Sequence, residues 1–335
     1  MFISEGVFRC EVGSSLDSQN TTVVDVTYRC NATCRYCQWG NKSNPRSFHR
    51  PLANILIPVQ TLRGLGTQRI VLSGGEPRIH PELEEVIRYY RNLVDDVIII
   101  TNGYGLDGSE LRRLLDCGAT GVTVSLDSTN PIEAFATRQT TESLHAQVMS
   151  SLRLISKLPR PYEVGINAVV SHVTANTTTI RDLLEFGYSA GTDFVKFQPV
   201  FDDGYVSMSA PDLRLGRRDV QGLLGVADLL GRVNHPPTNP PSFWRDLAVL
   251  ARGDSLNPSS CGLGQRHSIA TNGKINVCYW VDSASFGAPD VVLSQDQSRA
   301  VRADFEAAKL RCKVGYHCFC TQSLTHEWEV PASVG

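Results

Sequence analysis

The sequence lacks an uninterrupted apolar stretch near the roughly 20 residues that a membrane-spanning helix requires. It also lacks an excess of either charge, since 32 Lys and Arg stand against 34 Asp and Glu. A dedicated nucleic-acid binder, which neutralises phosphates with clustered cations, is therefore not expected. The opening residues, MFISEGVFRCEVGSS, have no basic region followed by an apolar core and so do not read as a secretory signal. We expect a cytoplasmic protein that binds neither membranes nor nucleic acid.

Cysteine, by contrast, is abundant, with ten residues in the chain. A cytoplasmic protein keeps its thiols reduced, so a framework of disulfides is not expected. Eight of the ten cysteines fall into three groups, which indicates metal ligation. These groups are Cys30, Cys34 and Cys37; Cys261 and Cys278; and Cys312, Cys318 and Cys320. We expect Cys117 to pack in the core and Cys10 to be neither ligand nor catalyst.

Short β-branched runs alternate with helical patterns between Thr21 and about Gly204, which predicts repeated βα units and a parallel sheet. Near the end of the chain, Asn272-Gly273 separates two strand-like runs within 267–280 and predicts a hairpin. Six strands are predicted before that hairpin, at 22–27, 69–73, 97–101, 121–126, 163–170 and 193–198.

The first cysteine group has the spacing Cys30-x3-Cys34-x2-Cys37 and directly follows the first predicted strand. It therefore lies on a loop at the carboxyl end of that strand, where parallel βα barrels place their chemistry. Three thiolates can bind three irons of a [4Fe-4S] cube and leave the fourth iron open to another ligand. The alternative is a structural zinc site, which needs four protein ligands, and no fourth cysteine or histidine lies nearby.

This loop, including Tyr36 before its last cysteine, resembles the signature of the radical S-adenosylmethionine (radical SAM) superfamily. The resemblance implies a partial (β/α)6 TIM-type barrel in which the open iron binds S-adenosylmethionine. It also implies that a reduced cluster cleaves this cofactor to a 5'-deoxyadenosyl radical, which takes a hydrogen atom from the substrate. A flavodoxin-type or ferredoxin-type protein would supply the electron.

Further motifs resemble the same superfamily in the same order. Gly74-Gly75-Glu76 follows the second strand and is similar to the GGE motif, which implies contacts with the methionine ammonium group. Ser125 and Asp127 would contact the ribose. Arg138 is either a contact to the methionine carboxylate or a solvated helix residue. The cofactor contacts that the resemblance implies are Tyr36, Gly74, Gly75, Glu76, Asn102, Ser125, Asp127, Arg138 and Gln198.

The C-terminal cysteines resemble an auxiliary-cluster domain called SPASM or, in its shortened form, twitch. Cys261 is followed after eleven residues by Gly273 and, four residues later, by Cys278, as in the opening of that pattern. The full pattern has more cysteines than this chain provides, so the resemblance implies one auxiliary [4Fe-4S] cluster with four of five possible ligands. These are Cys261, Cys278, Cys312, Cys318 and Cys320. The surplus thiol, with Cys318 and Cys320 as candidates, is either a buried apolar residue or a hydrogen-atom donor.

The resulting domain prediction has four segments. They are an N-terminal extension at 1–20, a radical SAM partial barrel at 21–235, a linker and helix at 236–254, and a twitch-like domain at 255–335. Only 29 residues precede Cys30, so we do not expect an N-terminal peptide-recognition domain.

Without that domain, the resemblance implies a small, carbohydrate-like substrate in natural-product biosynthesis, such as a sugar, an aminocyclitol or a nucleoside. The predicted reaction is oxidation or epimerisation at a carbinol carbon. The alternatives are decarboxylation of a sugar acid, maturation of a peptide, and a non-catalytic iron-sulfur protein. Candidate catalytic bases are Asp202 and Asp203, which also fit an ordinary turn, with Glu163 and His49 behind them.

Overall fold

The computed structural model describes residues 20–37, 39, 48–159, 161–200, 209–256, 267–271, 273–278, 285–288 and 291–308. Its strands are β1 Thr21–Thr27, β2 Arg69–Gly74, β3 Asp96–Thr101, β4 Gly121–Ser125, β5 Glu163–Val170, β6 Phe194–Pro199, β7 His267–Thr271, β8 Lys274–Asn276 and β9 Ser285–Gly287. Its α-helices are α1 Leu52–Ile55, α2 Val59–Leu65, α3 Leu83–Arg91, α4 Gly108–Asp116, α5 Pro131–Arg138, α6 Glu142–Ile155, α7 Thr177–Ala190, α8 Val220–Leu229, α9 Pro241–Arg252 and α10 Gln295–Ala308. None of these helices combines the length and apolarity needed to cross a bilayer.

All described strands belong to one sheet, in the order β6-β5-β4-β3-β2-β1-β7-β8-β9. Strands β1 to β6 pair in parallel with their chain neighbours, as repeated βα units require. The sheet does not close, because β6 and β9 remain at its two edges among the described residues. The prediction of an α/β fold with a partial TIM-type barrel is therefore confirmed, and all six predicted strands are present.

Side chains alternate between the two faces of the parallel strands. Val24, Ile70, Ile99 and Ile166 are fully buried against the surrounding helices. Their neighbours in sequence face the concave side, which Ser73, Ser125 and Asn167 line. Since parallel strands end at the same edge, the loops that follow β1 to β6 meet there.

Local signals explain several element ends. The side chain of Asn176 accepts a hydrogen bond from Thr179 N and caps α7, which ends at Gly191 in the left-handed region with φ 82°. The proline-rich stretch before α9 is a connection, and Pro241 occupies the first turn of that helix, where the missing N–H is tolerated.

The predicted hairpin is also confirmed, since β7 and β8 pair antiparallel from Thr271 opposite Lys274. Its position was not foreseen: β7 pairs in parallel with β1 and extends the sheet of the barrel. The Oγ atoms of Thr22 and Ser268 are 2.7 Å apart, and Tyr28 Oη lies 3.1 Å from Thr271 Oγ1. The described part of the C-terminal segment is thus joined to the barrel by backbone and side-chain contacts. The domain boundaries stay predictions.

Candidate active site

The three cysteines of the first group line one cavity of about 210 Å³ at the carboxyl edge of the parallel strands. Cys30 follows β1, and Cys37 N donates to Cys34 O at 3.1 Å, which folds the loop back on itself. The other residues around the cavity come from the cysteine loop itself, from the ends of β2 to β6 and from α5. They are Ala32, Tyr36, Ser73, Gly74, Gly75, Ile100, Thr101, Asn102, Ser125, Arg138, Asn167, Val169 and Gln198.

The thiols lie in a setting that suits a cluster better than a single ion. Burial raises the pKa of Cys30 to about 11 and also raises the pKa of Cys34, so a metal that binds their thiolates must displace protons. Among the described residues, no three Cys, His, Asp or Glu side chains converge as the ligands of one ion do. Zinc holds four ligands about 2.0 to 2.3 Å from one centre. Cysteines that surround a cavity without meeting fit a cube in which each thiolate binds a different iron.

The turn after β2 comes unusually close to the strand that precedes the cysteine loop. Gly75 N donates to Thr27 O at 2.7 Å, and Glu76 N donates to Arg29 O at 2.8 Å. A Cβ atom on Gly74, which has φ 112°, would lie 2.3 Å from Thr27 O, and one on Gly75 would lie 1.9 Å from Arg29 O. Only glycine fits at either position, and the turn presents bare backbone to the cavity.

The Glu76 carboxylate lies beneath this turn and is 1% exposed as a residue. Its Oε1 accepts from Thr101 Oγ1 at 2.8 Å and Arg78 N at 3.2 Å, while Oε2 accepts from Asn102 N at 2.7 Å. Burial raises the pKa of Glu76, and these three donors oppose that effect. The side chain ties the end of β3 to the turn and is absent from the lining of the cavity described above. A contact with a cofactor ammonium stays a prediction.

Asp127 also has partners within the protein. Its Oδ2 accepts from Tyr36 Oη at 2.7 Å and its Oδ1 from Val169 N at 3.0 Å. Burial, and then the nearby Asp127 carboxylate, raise the pKa of Tyr36 well above its usual value, so its hydroxyl stays a donor. Arg138 lies 3.7 Å from Asp127 Oδ1 and is 7% exposed, which is inconsistent with a solvated helix residue.

Four polar side chains in the cavity have no hydrogen-bond partner among the described residues: Ser73, Ser125, Asn167 and Gln198. Asn102 differs, because its Nδ2 donates to Asn31 Oδ1 at 2.6 Å and its Oδ1 accepts from Tyr104 N at 2.9 Å. Ser73 and Asn167 are not among the site residues predicted from the sequence. Alternation along β5 could have identified Asn167, which lies two residues before Val169 on the same face and opposite Ser125 in the strand register.

The remaining residues predicted from the sequence are in part outside the described residues and in part away from the cavity. Cys10, Asp202, Asp203, Cys261, Cys312, Cys318 and Cys320 lie outside the described residues. Cys278 follows β8 and is 5% exposed among apolar side chains, and Cys117 lies in the core as expected. Glu163 is the first residue of β5 and so lies at the opposite edge from the cysteine loop, which makes it unsuitable as a base there. His49 Nδ1 lies 3.0 Å from Thr27 Oγ1, close to the end of β1.

Comparisons with known proteins agree with this geometry. A family model described as the Radical SAM superfamily matches residues 24–184. The GTP 3',8-cyclase of Ectopseudomonas mendocina is 26% identical over 269 residues, which span 78% of this chain and 79% of that protein. The mitochondrial GTP 3',8-cyclase of Arabidopsis thaliana is 25% identical over 313 residues, spanning 88% of this chain and 75% of that protein.

Solved structures show the same fold at low sequence identity. Streptococcus suis SuiB bound to S-adenosylmethionine aligns with a TM-score of 0.62 and 15% identity, over 90% of this chain and 72% of that one. Native anSMEcpe with bound AdoMet aligns with a TM-score of 0.62 and 18% identity, over 93% of this chain and 92% of that one. These alignments show that the fold is shared, and the family model matches the segment that contains the cysteine loop and the glycine turn.

Proposed function

We propose that this chain is a radical SAM enzyme that abstracts a hydrogen atom from a carbinol C–H of a small hydroxylated substrate and thereby oxidises or epimerises it. The observation that carries the proposal is the meeting of three cysteine thiols, a side-chain-free Gly-Gly turn and four polar groups in one cavity. When bound, an iron-sulfur cluster and S-adenosylmethionine supply the hydrogen-abstracting 5'-deoxyadenosyl radical.

Different residues around the cavity bind the cluster and S-adenosylmethionine. Cys30, Cys34 and Cys37 hold the cluster through their thiolates. Gly74 and Gly75 line the cavity with backbone atoms alone and offer carbonyl groups to the cofactor ammonium. Ser125 and Gln198, whose side chains are without protein partners in the described structure, donate to and accept from the cofactor.

The charge of the cavity favours a neutral substrate. Arg138 is the one Lys or Arg among the described residues that line the cavity, and it already faces Asp127. A triphosphate normally needs several cations or backbone N–H groups to balance its charge. Hydroxyl and amide groups, which the lining provides at Ser73 and Asn167, instead match a sugar, an aminocyclitol or a nucleoside.

The names of the relatives support a second candidate, ring closure on a purine nucleotide. A 3',8-cyclisation would also begin at a carbon that bears a hydroxyl, so the first step would be shared. The two candidates differ in charge, and the described lining supports the neutral substrate.

We further propose one auxiliary [4Fe-4S] cluster held by four of Cys261, Cys278, Cys312, Cys318 and Cys320, and electron delivery by a flavodoxin-type or ferredoxin-type protein. In an oxidation, this cluster would accept the second electron from the substrate. In an epimerisation, Cys318 or Cys320 would give a hydrogen atom to the opposite face, and the resulting thiyl radical would take an electron from the reductant and a proton from solvent.

Anaerobic reconstitution tests the radical chemistry. With reductant and S-adenosylmethionine, we expect 5'-deoxyadenosine even without substrate, and about eight irons per chain if two cubes are present. Cys30→Ala should abolish cofactor cleavage, while Cys117→Ala, which removes a core thiol, should leave it intact. Absence of 5'-deoxyadenosine from the reconstituted wild type would refute the proposal.

Substrate class is tested by comparing GTP with a panel of aminocyclitols, sugars and nucleosides, scored by substrate-dependent 5'-deoxyadenosine. In deuterium oxide, oxidation gives a product two hydrogens lighter, whereas epimerisation gives an isomer with one deuterium on carbon. Turnover of GTP alone would overturn the neutral-substrate assignment and favour ring closure.

A further inference from the structure

We infer that Asp127 is a positioning residue that fixes the Cys34–Cys37 segment through Tyr36, and that it does not contact the cofactor ribose. The inference deepens the proposed function, since it concerns how the chain holds the cluster-binding loop. Asp127 lies just beyond β4 and its side chain is 0% exposed.

The hydrogen bonds of Asp127 are directed at the protein. One oxygen accepts from the Tyr36 hydroxyl at 2.7 Å, and the other accepts from Val169 N at 3.0 Å, with the Arg138 guanidinium 3.7 Å away. A ribose would need access to an oxygen, yet Asp127 is absent from the residues that line the cavity. Ser125, two residues earlier, does line it and has no competing protein partner among the described residues.

Arg35, the other residue between Cys34 and Cys37, secures the loop from a different direction. Its backbone N donates to Thr137 O at 2.9 Å, and its Nη1 donates to Ala136 O at 2.9 Å. These carbonyls belong to the last turn of α5, where no intrahelical donor remains for them. Arg35 Nη2 also donates to Asp212 Oδ1 at 2.7 Å.

Both residues of the Cys34-x2-Cys37 spacing are therefore anchored, Arg35 to α5 and Tyr36 to the ends of β4 and β5. Because these anchors consist only of protein atoms, they set the positions of the thiols independently of any ligand. Loosening the Tyr36 anchor should weaken the retention of iron more than it weakens the fold.

The experiment compares Tyr36→Phe, Asp127→Asn and the double variant with wild type after anaerobic reconstitution; iron loss and EPR are measured without S-adenosylmethionine, and the KM is measured with it. The matched control is Tyr162→Phe, which removes another tyrosine hydroxyl hydrogen bond, to Ile155 O at 3.0 Å, just before β5 and so at the opposite edge of the sheet from the cysteine loop. The readouts are the rate at which a chelator removes iron, the EPR spectrum of the reduced cluster, and the KM for S-adenosylmethionine.

We expect each single variant to lose iron about tenfold faster than wild type, as the loss of a hydrogen bond to a charged group predicts. The double variant should be no worse than the poorer single one, since both changes break the same contact. Tyr162→Phe should retain iron and an unaltered EPR spectrum, even if its melting temperature falls.

Two results would overturn the inference. Unchanged iron retention with a raised KM for S-adenosylmethionine in Asp127→Asn would make Asp127 a cofactor contact. Strictly additive effects on iron loss in the double variant would mean that Tyr36 and Asp127 act independently. Neither result affects the proposed function, which fails only if reconstituted wild type does not form 5'-deoxyadenosine.

Discussion

Substitution of Gly75 by alanine should damage both the stability of the protein and the cluster-binding loop. The new Cβ would lie 1.9 Å from Arg29 O and 2.5 Å from Arg29 C, both of which are backbone atoms. This is about 1.5 Å short of ordinary van der Waals contact. The clash cannot be relieved by a side-chain rotation, so the turn and the strand end must separate.

Separation has two costs. Overpacking of this kind costs about 1 to 3 kcal/mol, and loss of the hydrogen bond from Glu76 N to Arg29 O adds about 1 kcal/mol. We therefore expect the free energy of unfolding to fall by about 2 to 4 kcal/mol. Since Arg29 directly precedes Cys30, the same displacement moves the first thiol and should lower iron incorporation.

The free energy of unfolding is measured by urea titration of the metal-free proteins under reducing conditions. Tryptophan fluorescence follows the transition, since Trp244 is fully buried and reports on the barrel. The control is Gly216→Ala, because that glycine is extended, with φ −157°, and a Cβ added to it would meet no heavy atom within 4 Å. It should stay within about 0.5 kcal/mol of wild type or gain slightly. If Gly75→Ala has the same free energy of unfolding as Gly216→Ala and binds iron normally, the turn at Gly75 does not lie against the backbone of Arg29 and the reasoning is refuted.

Two further substitutions separate binding from stability. Asn167→Ala should raise the KM for cofactor or substrate about tenfold while changing the free energy of unfolding by less than about 1 kcal/mol, because its amide loses no partner in the described structure. Unchanged kinetics would remove Asn167 from the binding surface. Arg50→Met should lower the free energy of unfolding by about 3 kcal/mol, since the buried guanidinium donates to the carbonyls of Asp25, Asn54 and Ala270 and these three hydrogen bonds would be lost. A urea midpoint unchanged from wild type would contradict this.

The sequence predicts the parallel strands well because their signals are local. Runs such as residues 97–101 and 163–170 are rich in β-branched residues, and the two-residue loop before Lys274 makes a hairpin the favoured connection. The pairing of β7 with β1 has no comparable signal. It joins residues about 245 positions apart, and its side-chain contacts become visible only in the structure.

The sequence likewise predicts the positions of some residues of the candidate site and not of others. Motif spacing places Gly74, Gly75 and Ser125 at the cavity, and the structure agrees with those positions. For Asp127, the rule that residues two apart share a face fails because β4 ends at Ser125. Beyond that residue the backbone turns, and the carboxylate points to Val169 N instead of the cavity. Spacing alone carries no information about where a strand stops.

One physical effect explains why the carboxylates at this site bind protein atoms while the neutral side chains face the cavity. A carboxylate removed from water must be hydrogen-bonded, and Glu76 and Asp127 meet that requirement with donors from the protein. These hydrogen bonds hold the glycine turn and the cysteine loop in place, so the two carboxylates are already engaged by the protein. Neutral hydroxyl and amide groups cost less to leave without a protein partner, so Ser125 and Asn167 can face the cavity ready to bind. Apart from Arg138 and the cysteine thiols, the described lining of the cavity is consequently neutral, although acidic residues lie directly behind it.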